Sequence, residues 1–386
     1  MKPANSILSS FGTTIFETMS RLAQAHGAVN LGQGFPEGLE SSEVIAKAAE
    51  ALVNGPNQYP SMMGTPELRQ AIAAHDKRFY GLELDPMAEV MVTSGATEAL
   101  ASCLFGLIEP GDEVVLIEPL YDSYLPIIRR AGGIPKLVRV APPHWDLPRE
   151  ALAAAFSHKT KLIIINSPMN PAGKVWDAEE LAFLAGLLER HDAYAVCDEV
   201  YEHLVYDQRR HIPLMTLPGM RERCLKIGSA GKIFSLTGWK VGWVIAAPAL
   251  LQPVAKAHQY LTFTTPPNLQ TAVAFGLGLG DDYYGGLRAL LQARRDHLAE
   301  GLSRVGFEVL ATGGSYFISA DFRPLGYNGS DEDFCRMITE KAGVAAIPVS
   351  AFYQAKDVSH FARFCFAKTD AAIDQAVDRL GRYFGT

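Results

Sequence analysis

The 386-residue chain lacks most of the features that mark the special classes of protein. Its longest apolar runs, such as LIII at 162–165, are far too short to cross a bilayer, so no membrane span is expected. The N-terminal stretch MKPANSILSSFGTTIFETMSRL has no long apolar core and no small-residue cleavage pattern, so no secretory signal is read there. Five cysteines, Cys103, Cys197, Cys224, Cys335 and Cys365, are scattered, odd in number and without metal-ligand spacing. They predict free buried thiols in a reducing cytoplasm, and no zinc or other metal centre is expected. There is no block of like charge, no internal repeat and no low-complexity tract. A formal net charge of −7 argues against a general nucleic-acid surface.

What is present is a rhythm. Short apolar runs recur at 90–94, 113–118, 135–140, 161–166, 193–198, 224–229 and 241–247. Most are continuously apolar, which suits strands covered on both faces, as in a parallel sheet. Helix-like stretches such as Thr97–Glu109 and Ala178–His191 lie between them, so the pattern predicts a large α/β domain. The last run follows its predecessor too closely for a helical crossover, so it is expected to run antiparallel. After about residue 275 the texture changes. A long helical stretch, Tyr284–Val305, precedes strand-like runs at 307–312, 314–322 and 360–367. The expected organisation is a large domain over 40–275 and a smaller α+β domain made of 1–39 and 276–386.

Ligands of open α/β sheets bind outside the carboxyl ends of the strands, so those ends hold the candidates. Run 90–94 leads into SGATEA, where the free amides of Gly95, Ala96 and Thr97 at a helix start make an anion site. Run 161–166 ends in NSPMNPAGKV, a rigid turn presenting Asn170. Run 193–198 ends in CDEVYEHLVYD, with a mostly buried Asp198 and, three residues on, Tyr201. Run 224–229 ends in SAGK, so Lys232 emerges at the same rim. A partly desolvated lysine has a depressed pKa and becomes a nucleophilic amine. One ligand explains the set: pyridoxal phosphate needs an amine for its imine, an anion hole for its phosphate and a carboxylate for its ring nitrogen. Asn170 and Tyr201 would bond the ring oxygen.

NPAGKV, CDEVYEHLVYD and SAGKIFSLTGWKVGW stand in the order and spacing of the signature segments of fold-type I pyridoxal-phosphate enzymes. Over nearly its whole length the chain resembles the class I/II aminotransferases. VNLGQGFP (29–36), NQY (57–59), EPLYDSY (118–124) and RFCF (363–366) make it most similar to kynurenine aminotransferases, glutamine transaminase K and bacterial methionine aminotransferases. The resemblance implies a mainly parallel seven-stranded sheet in the large domain. It makes Lys232 the cofactor lysine and proton shuttle, with Asp198, Asn170 and Tyr201 on the ring. It implies that Tyr121 stacks on the ring face, and that Gly95, Ala96, Ser229 and Lys240 hold the phosphate. Many relatives have arginine where Lys240 stands, so a point charge replaces a fork here. Arg363 would grip the substrate α-carboxylate, Gly34 would line the substrate pocket, and Phe16 would cover the substrate side chain. An obligatory homodimer would bring Tyr59 and Phe263 across the interface into the neighbour's site. Pro119 and Pro171 would follow cis peptide bonds.

The implied activity is transfer of the α-amino group from an amino acid to a 2-oxo acid. No second cation for a side-chain carboxylate is evident in the sequence, and Phe16, Tyr121 and Phe263 suggest an apolar pocket. Methionine, glutamine, and aromatic or kynurenine-like donors are therefore expected ahead of aspartate. The alternatives are β-elimination on cysteine S-conjugates at the same site, or an aspartate or succinyldiaminopimelate type of aminotransferase. A cofactor-binding regulator would carry a basic DNA-binding extension, and none is read before residue 30.

Overall fold

The structure is a computed structural model that describes residues 2–385. Its centre is a seven-stranded sheet: β1 Val90–Thr93, β2 Glu113–Glu118, β3 Ile134–Arg139, β4 Thr160–Asn166, β5 Tyr194–Asp198, β6 Cys224–Ser229 and β7 Gly242–Ala246. Their spatial order is β1-β7-β6-β5-β4-β2-β3. Strands β2 to β6 pair in parallel, whereas β7 is antiparallel to both β6 and β1. Parallel neighbours need long crossovers. Helices Tyr124–Ala131, Arg149–Ala155 and Ala178–His191 lie in three of them, Gly95–Leu107 leads from the edge strand β1 to β2, and the long segment 199–223 joins β5 to β6. Residues 230–241 hold only two short helical turns, which is why β7 returns antiparallel as expected.

The inner strands feed two cores, whereas the edge strand β3 gives only Val138 to one of them. In β4, Leu162 and Ile164 join one cluster while Ile163 and Ile165 join the other. Burial on both faces is what makes these strands read as unbroken apolar runs. Helix Ala178–His191 starts at a capping box, Asp177 with Glu180. Helix Ile15–His26 starts on Thr14 and stops at Gly27, whose φ of +57° favours glycine.

A second sheet is antiparallel, in the order Ile347–Pro348, Phe361–Cys365, Phe317–Asp321, Glu308–Val309. The strand expected over 307–312 is only Glu308–Val309, because the chain then leaves the sheet: the amides of Gly313 and Gly314 both donate to Gly173 O. Val29–Asn30 pairs in parallel with Val344–Ala345, so the N-terminal segment packs on the C-terminal part of the chain. Among the described residues no helix is long and apolar enough to cross a membrane. All five cysteines are free and buried.

Candidate active site

The carboxyl ends of the parallel strands converge on a cavity of about 210 Å³. Gly95, Ala96 and Thr97 line it from the start of the helix after β1, and Tyr121 from the loop after β2. Asn170, Asp198 and Tyr201 follow β4 and β5, and Ser229, Lys232 and Lys240 follow β6. Ten of the residues singled out from sequence thus share one wall.

Each polar group there is incompletely satisfied by the chain itself. Asp198 is buried at the end of β5. Its Oδ2 accepts the Tyr124 hydroxyl at 2.6 Å, but among the described residues its Oδ1 has no partner. Burial raises its pKa, against the Tyr124 bond and the charge of Lys232, which lower it. Lys232 Nζ donates to the Tyr316 hydroxyl at 2.6 Å, which in turn donates to Gly34 O at 2.5 Å. Desolvation lowers the Lys232 pKa to about 8; Asp198 opposes this, while Lys240 and Arg363 add to it.

At the phosphate end, helix Gly95–Leu107 begins without a side-chain cap on its first amides, which is the condition for an anion site. Gly95 has φ +75°, and a Cβ there would sit 3.2 Å from Lys240 Cε and 3.4 Å from its Nζ. A side chain there would crowd the lysine, and the positive φ favours glycine in any case. Lys240 itself holds a left-handed backbone, φ +54°, a conformation uncommon outside glycine. The peptide bonds before Pro119 and Pro171 are cis, as expected, and so are those before Pro143 and Pro168.

Arg363 is 1% exposed, yet no carboxylate lies within ion-pair distance of it among the described residues. Its Nη1 donates to Asn170 Oδ1 at 2.8 Å and its Nη2 to Gly32 O at 2.7 Å, while Nε is unpartnered. The guanidinium lies 3.8 Å from the Phe317 ring centroid and 5.3 Å from that of Phe16. Desolvation lowers its pKa to about 10. Gly34 is tightly packed, because a Cβ there would approach Phe317 Cζ to 2.5 Å.

Phe16 faces a second cavity of about 770 Å³ that shares Thr97 with the first. Its wall carries Phe352 and two cations, Arg336 and Lys356. Lys356 pairs with Glu332 at 2.7 Å, whereas no ion pair forms at Arg336 among the described residues. The sequence had offered no second cation. Tyr59 and Phe263 do not reach either cavity of their own chain. They pack edge-on against each other at 5.6 Å on the outer surface, 83% and 41% exposed.

Besides Arg336, two functional candidates escaped the reading of the sequence, Tyr124 and Tyr316. Tyr124 ends the segment EPLYDSY, and Tyr316 immediately precedes the strand Phe317–Asp321 in GSYFISADF. A hydroxyl on an otherwise apolar run was the available signal.

Lys232 and the buried Asp198 thus meet at the strand ends of the large sheet, and Arg363, from strand Phe361–Cys365 of the second sheet, bonds Asn170 beside them. The chain belongs to the class I and II aminotransferases, whose family model matches residues 27–380. It is 46% identical over 384 residues to a probable N-succinyldiaminopimelate aminotransferase of Mycobacterium tuberculosis, covering 97% of this chain and 96% of that one. The methionine aminotransferase of Escherichia coli is 38% identical, with the same coverage. A solved N-succinyldiaminopimelate aminotransferase structure from Mycobacterium tuberculosis superposes with a TM-score of 0.96 at 45% identity, over 98% of this chain and 100% of that one.

Proposed function

We propose that this aminotransferase binds pyridoxal 5′-phosphate on Lys232 and moves the α-amino group of an amino acid to a 2-oxo acid. One observation carries the reading: a cavity with a partly desolvated amine at one side, an unpartnered buried carboxylate oxygen opposite, and an uncapped helix start beside Lys240. The residues fit the cofactor. Asp198 Oδ1 is an acceptor in want of a donor, which a protonated ring nitrogen provides, and Gly95 leaves space where a Cβ would crowd the phosphate cation. When bound, pyridoxal phosphate supplies the aldehyde that receives the amino group and the ring that takes up the electron pair left at Cα.

The chain's own residues do the rest. The Arg363 guanidinium, desolvated and without a carboxylate of its own, binds the substrate α-carboxylate through Nε and an adjacent Nη. Tyr121 would cover one face of the ring, and Asn170 and Tyr201 would hydrogen-bond its oxygen. Lys232, whose pKa desolvation lowers to about 8, would move the proton from the donor's Cα to the cofactor carbon that receives the amino group, and would carry one the opposite way, to the acceptor's Cα, in the second half of the cycle. Residues 40–275 form the cofactor-binding domain, and 1–39 with 276–386 the smaller one. The pairing of Val29–Asn30 with Val344–Ala345 supports that grouping. A homodimer accounts for Tyr59 and Phe263, which with Tyr260 and Leu261 leave an apolar patch exposed. A reducing, cytoplasmic setting suits five buried free thiols.

The aromatic wall of Phe16 and Phe352 suits methionine, glutamine or aromatic donors. A second reading rests on Arg336, which among the described residues forms no ion pair and lines the adjoining cavity, where it would take a distal carboxylate. It agrees with the substrate in the name of the Mycobacterium tuberculosis relative. Steady-state rates with methionine, kynurenine and N-succinyldiaminopimelate decide between them: a preference for the last that Arg336→Ala removes supports the second reading. The cofactor assignment is tested by absorbance. Protein reconstituted with pyridoxal phosphate should be yellow, bleach with borohydride and lose the band in Lys232→Ala. Protein that stays colourless overturns it.

A further inference from the structure

The segment after β5 presents Tyr201 to the cavity and turns Glu199 and Glu202 toward the opposite side of the sheet. There a second set of ionisable groups is buried. Lys226, on β6 and fully buried, has its Nζ 2.9 Å from Asp76 Oδ1 and 2.8 Å from Glu202 Oε2. Asp76 Oδ2 stands 3.3 Å from Nδ1 of the buried His75, and His75 Nε2 meets His203 Nε2 at 2.7 Å. A carboxylate oxygen of Glu202 lies within 4.8 Å of both imidazole nitrogens. Glu202 Oε1 is buried and, among the described residues, makes no hydrogen bond of good geometry; the Tyr80 hydroxyl stands against the same carboxyl, which together with burial raises the Tyr80 pKa.

We propose that His75, His203 and Glu202 form a zinc site on the face of the sheet away from the cofactor cavity. Two imidazole nitrogens and one carboxylate oxygen are a donor set that zinc takes, with water in the fourth position. A cavity of about 370 Å³ that Glu202, His203 and Tyr80 help to line supplies that water and the way in. Asp76 fixes the tautomer: its carboxylate accepts from His75 Nδ1, which leaves Nε2 bare, the arrangement by which a carboxylate orients a metal-bound histidine. The charges also permit it. Two carboxylates, Asp76 and Glu202, face one ammonium, Lys226, so the group carries one net negative charge when the histidines are neutral. Lys226 is the opposing term, and its pairing with both carboxylates blunts it. Zinc–nitrogen bonds of about 2.0–2.1 Å at a tetrahedral angle place the two nitrogens about 3.3 Å apart. The pair at 2.7 Å therefore has to open by roughly 0.6 Å, which side-chain rotation of His203 can supply. The metal would tie helix Pro66–Tyr80 to the segment that carries Tyr201.

The test uses the reconstituted holoenzyme, stripped with a chelator and titrated with zinc against a chromophoric chelator. One equivalent should bind per chain. His75→Ala removes a ligand and should weaken binding by more than the roughly 10- to 100-fold that loss of an outer-shell partner costs. His297→Ala, at an exposed histidine paired with Asp374, should leave it unchanged. Cobalt added in place of zinc should give the intense visible bands of a four-coordinate ion. Should His75→Ala fail to fold, judged by its melting curve, His203→Gln carries the same expectation. No binding by the parent protein, or equal binding by the parent and the foldable His variant, overturns the site and leaves surface binding only.

Discussion

Lys226 and Lys232 stand six residues apart, one inside β6 and one just beyond its end, and the protein treats them in opposite ways. Both are withdrawn from bulk water. Lys226 is held between Asp76 and Glu202, and the pull of those carboxylates outweighs desolvation and raises its pKa. Lys232 has only a tyrosine hydroxyl within hydrogen-bond reach and two other cations nearby, so desolvation wins and its pKa falls to about 8. Burial alone therefore says nothing about reactivity. The counter-charge does, and the cavity is where the chain withholds it. The same contrast holds for the acids: Glu202 is paired and its pKa is lowered, whereas Asp198 is solvated by one tyrosine and its pKa is raised. Unsatisfied groups cost stability, and sites built for a ligand tolerate that cost.

The sharpest way to break the comparison is one substitution made twice. Lys226→Met strands two buried carboxylates, and loss of one partner of a buried pair costs about 3–5 kcal/mol. Its urea midpoint should fall steeply. Lys232→Met in the cofactor-free protein should melt no lower than the parent, since it removes a charge the fold disfavours. The pH dependence follows from the sign of the shift. Between pH about 8 and the ordinary 10.5 the unfolded chain holds a proton on Lys232 that the folded chain has released. Stability of the parent relative to Lys232→Met therefore rises with pH across that window and is lowest, and flat, below it. A parallel pair of pH–stability curves would contradict the depressed amine.

A smaller effect is expected at Arg363. Lysine in its place keeps the charge but loses the fork. A lost charge-assisted hydrogen bond is worth about 1.5–3 kcal/mol, so kcat/KM for Arg363→Lys should fall roughly 10- to 100-fold. The loss should be of similar size for every α-amino acid donor, because the α-carboxylate is common to all. A loss confined to one donor would move Arg363 from the α-carboxylate to a side chain.

The open site was more legible in the sequence than the closed one. Gly95, Asn170, Asp198, Ser229 and Lys232 all sit where an apolar run stops, so the strand ends alone bring them together. The antiparallel return of β7 was readable from a connection too short for a crossover. Arg363 and Tyr121 carried no such positional signal and came from the resemblance. The pairing of His75 with His203, 128 residues apart, was invisible, because it depends on how helix Pro66–Tyr80 lies across the sheet. Tyr124 and Tyr316 were missed for a related reason: an aromatic ring in an apolar run reads as core, and only the neighbour of its hydroxyl reveals another task. The same blindness hid Arg336, whose nearness to Phe16 is made by the fold.

Tyr316 gives the finest test of what distinguishes the two lysines. Its hydroxyl proton is committed to Gly34 O, so its oxygen can only accept from Lys232. That holds one N–H of the amine and leaves its lone pair free to take the donor's proton. Tyr316→Phe keeps the ring, its edge-on contact with Tyr201 at 5.0 Å and the packing on Gly34. The net loss is about 1 kcal/mol for a neutral hydrogen bond, or roughly a fivefold slower single turnover at saturating donor. Losing an acceptor also removes support for the charged amine, so its pKa should fall further. The acid limb of the single-turnover profile should move to lower pH while affinity for pyridoxal phosphate stays the same. A slower rate with an unmoved limb would make Tyr316 a packing residue, and the low pKa of Lys232 would then belong to its burial alone.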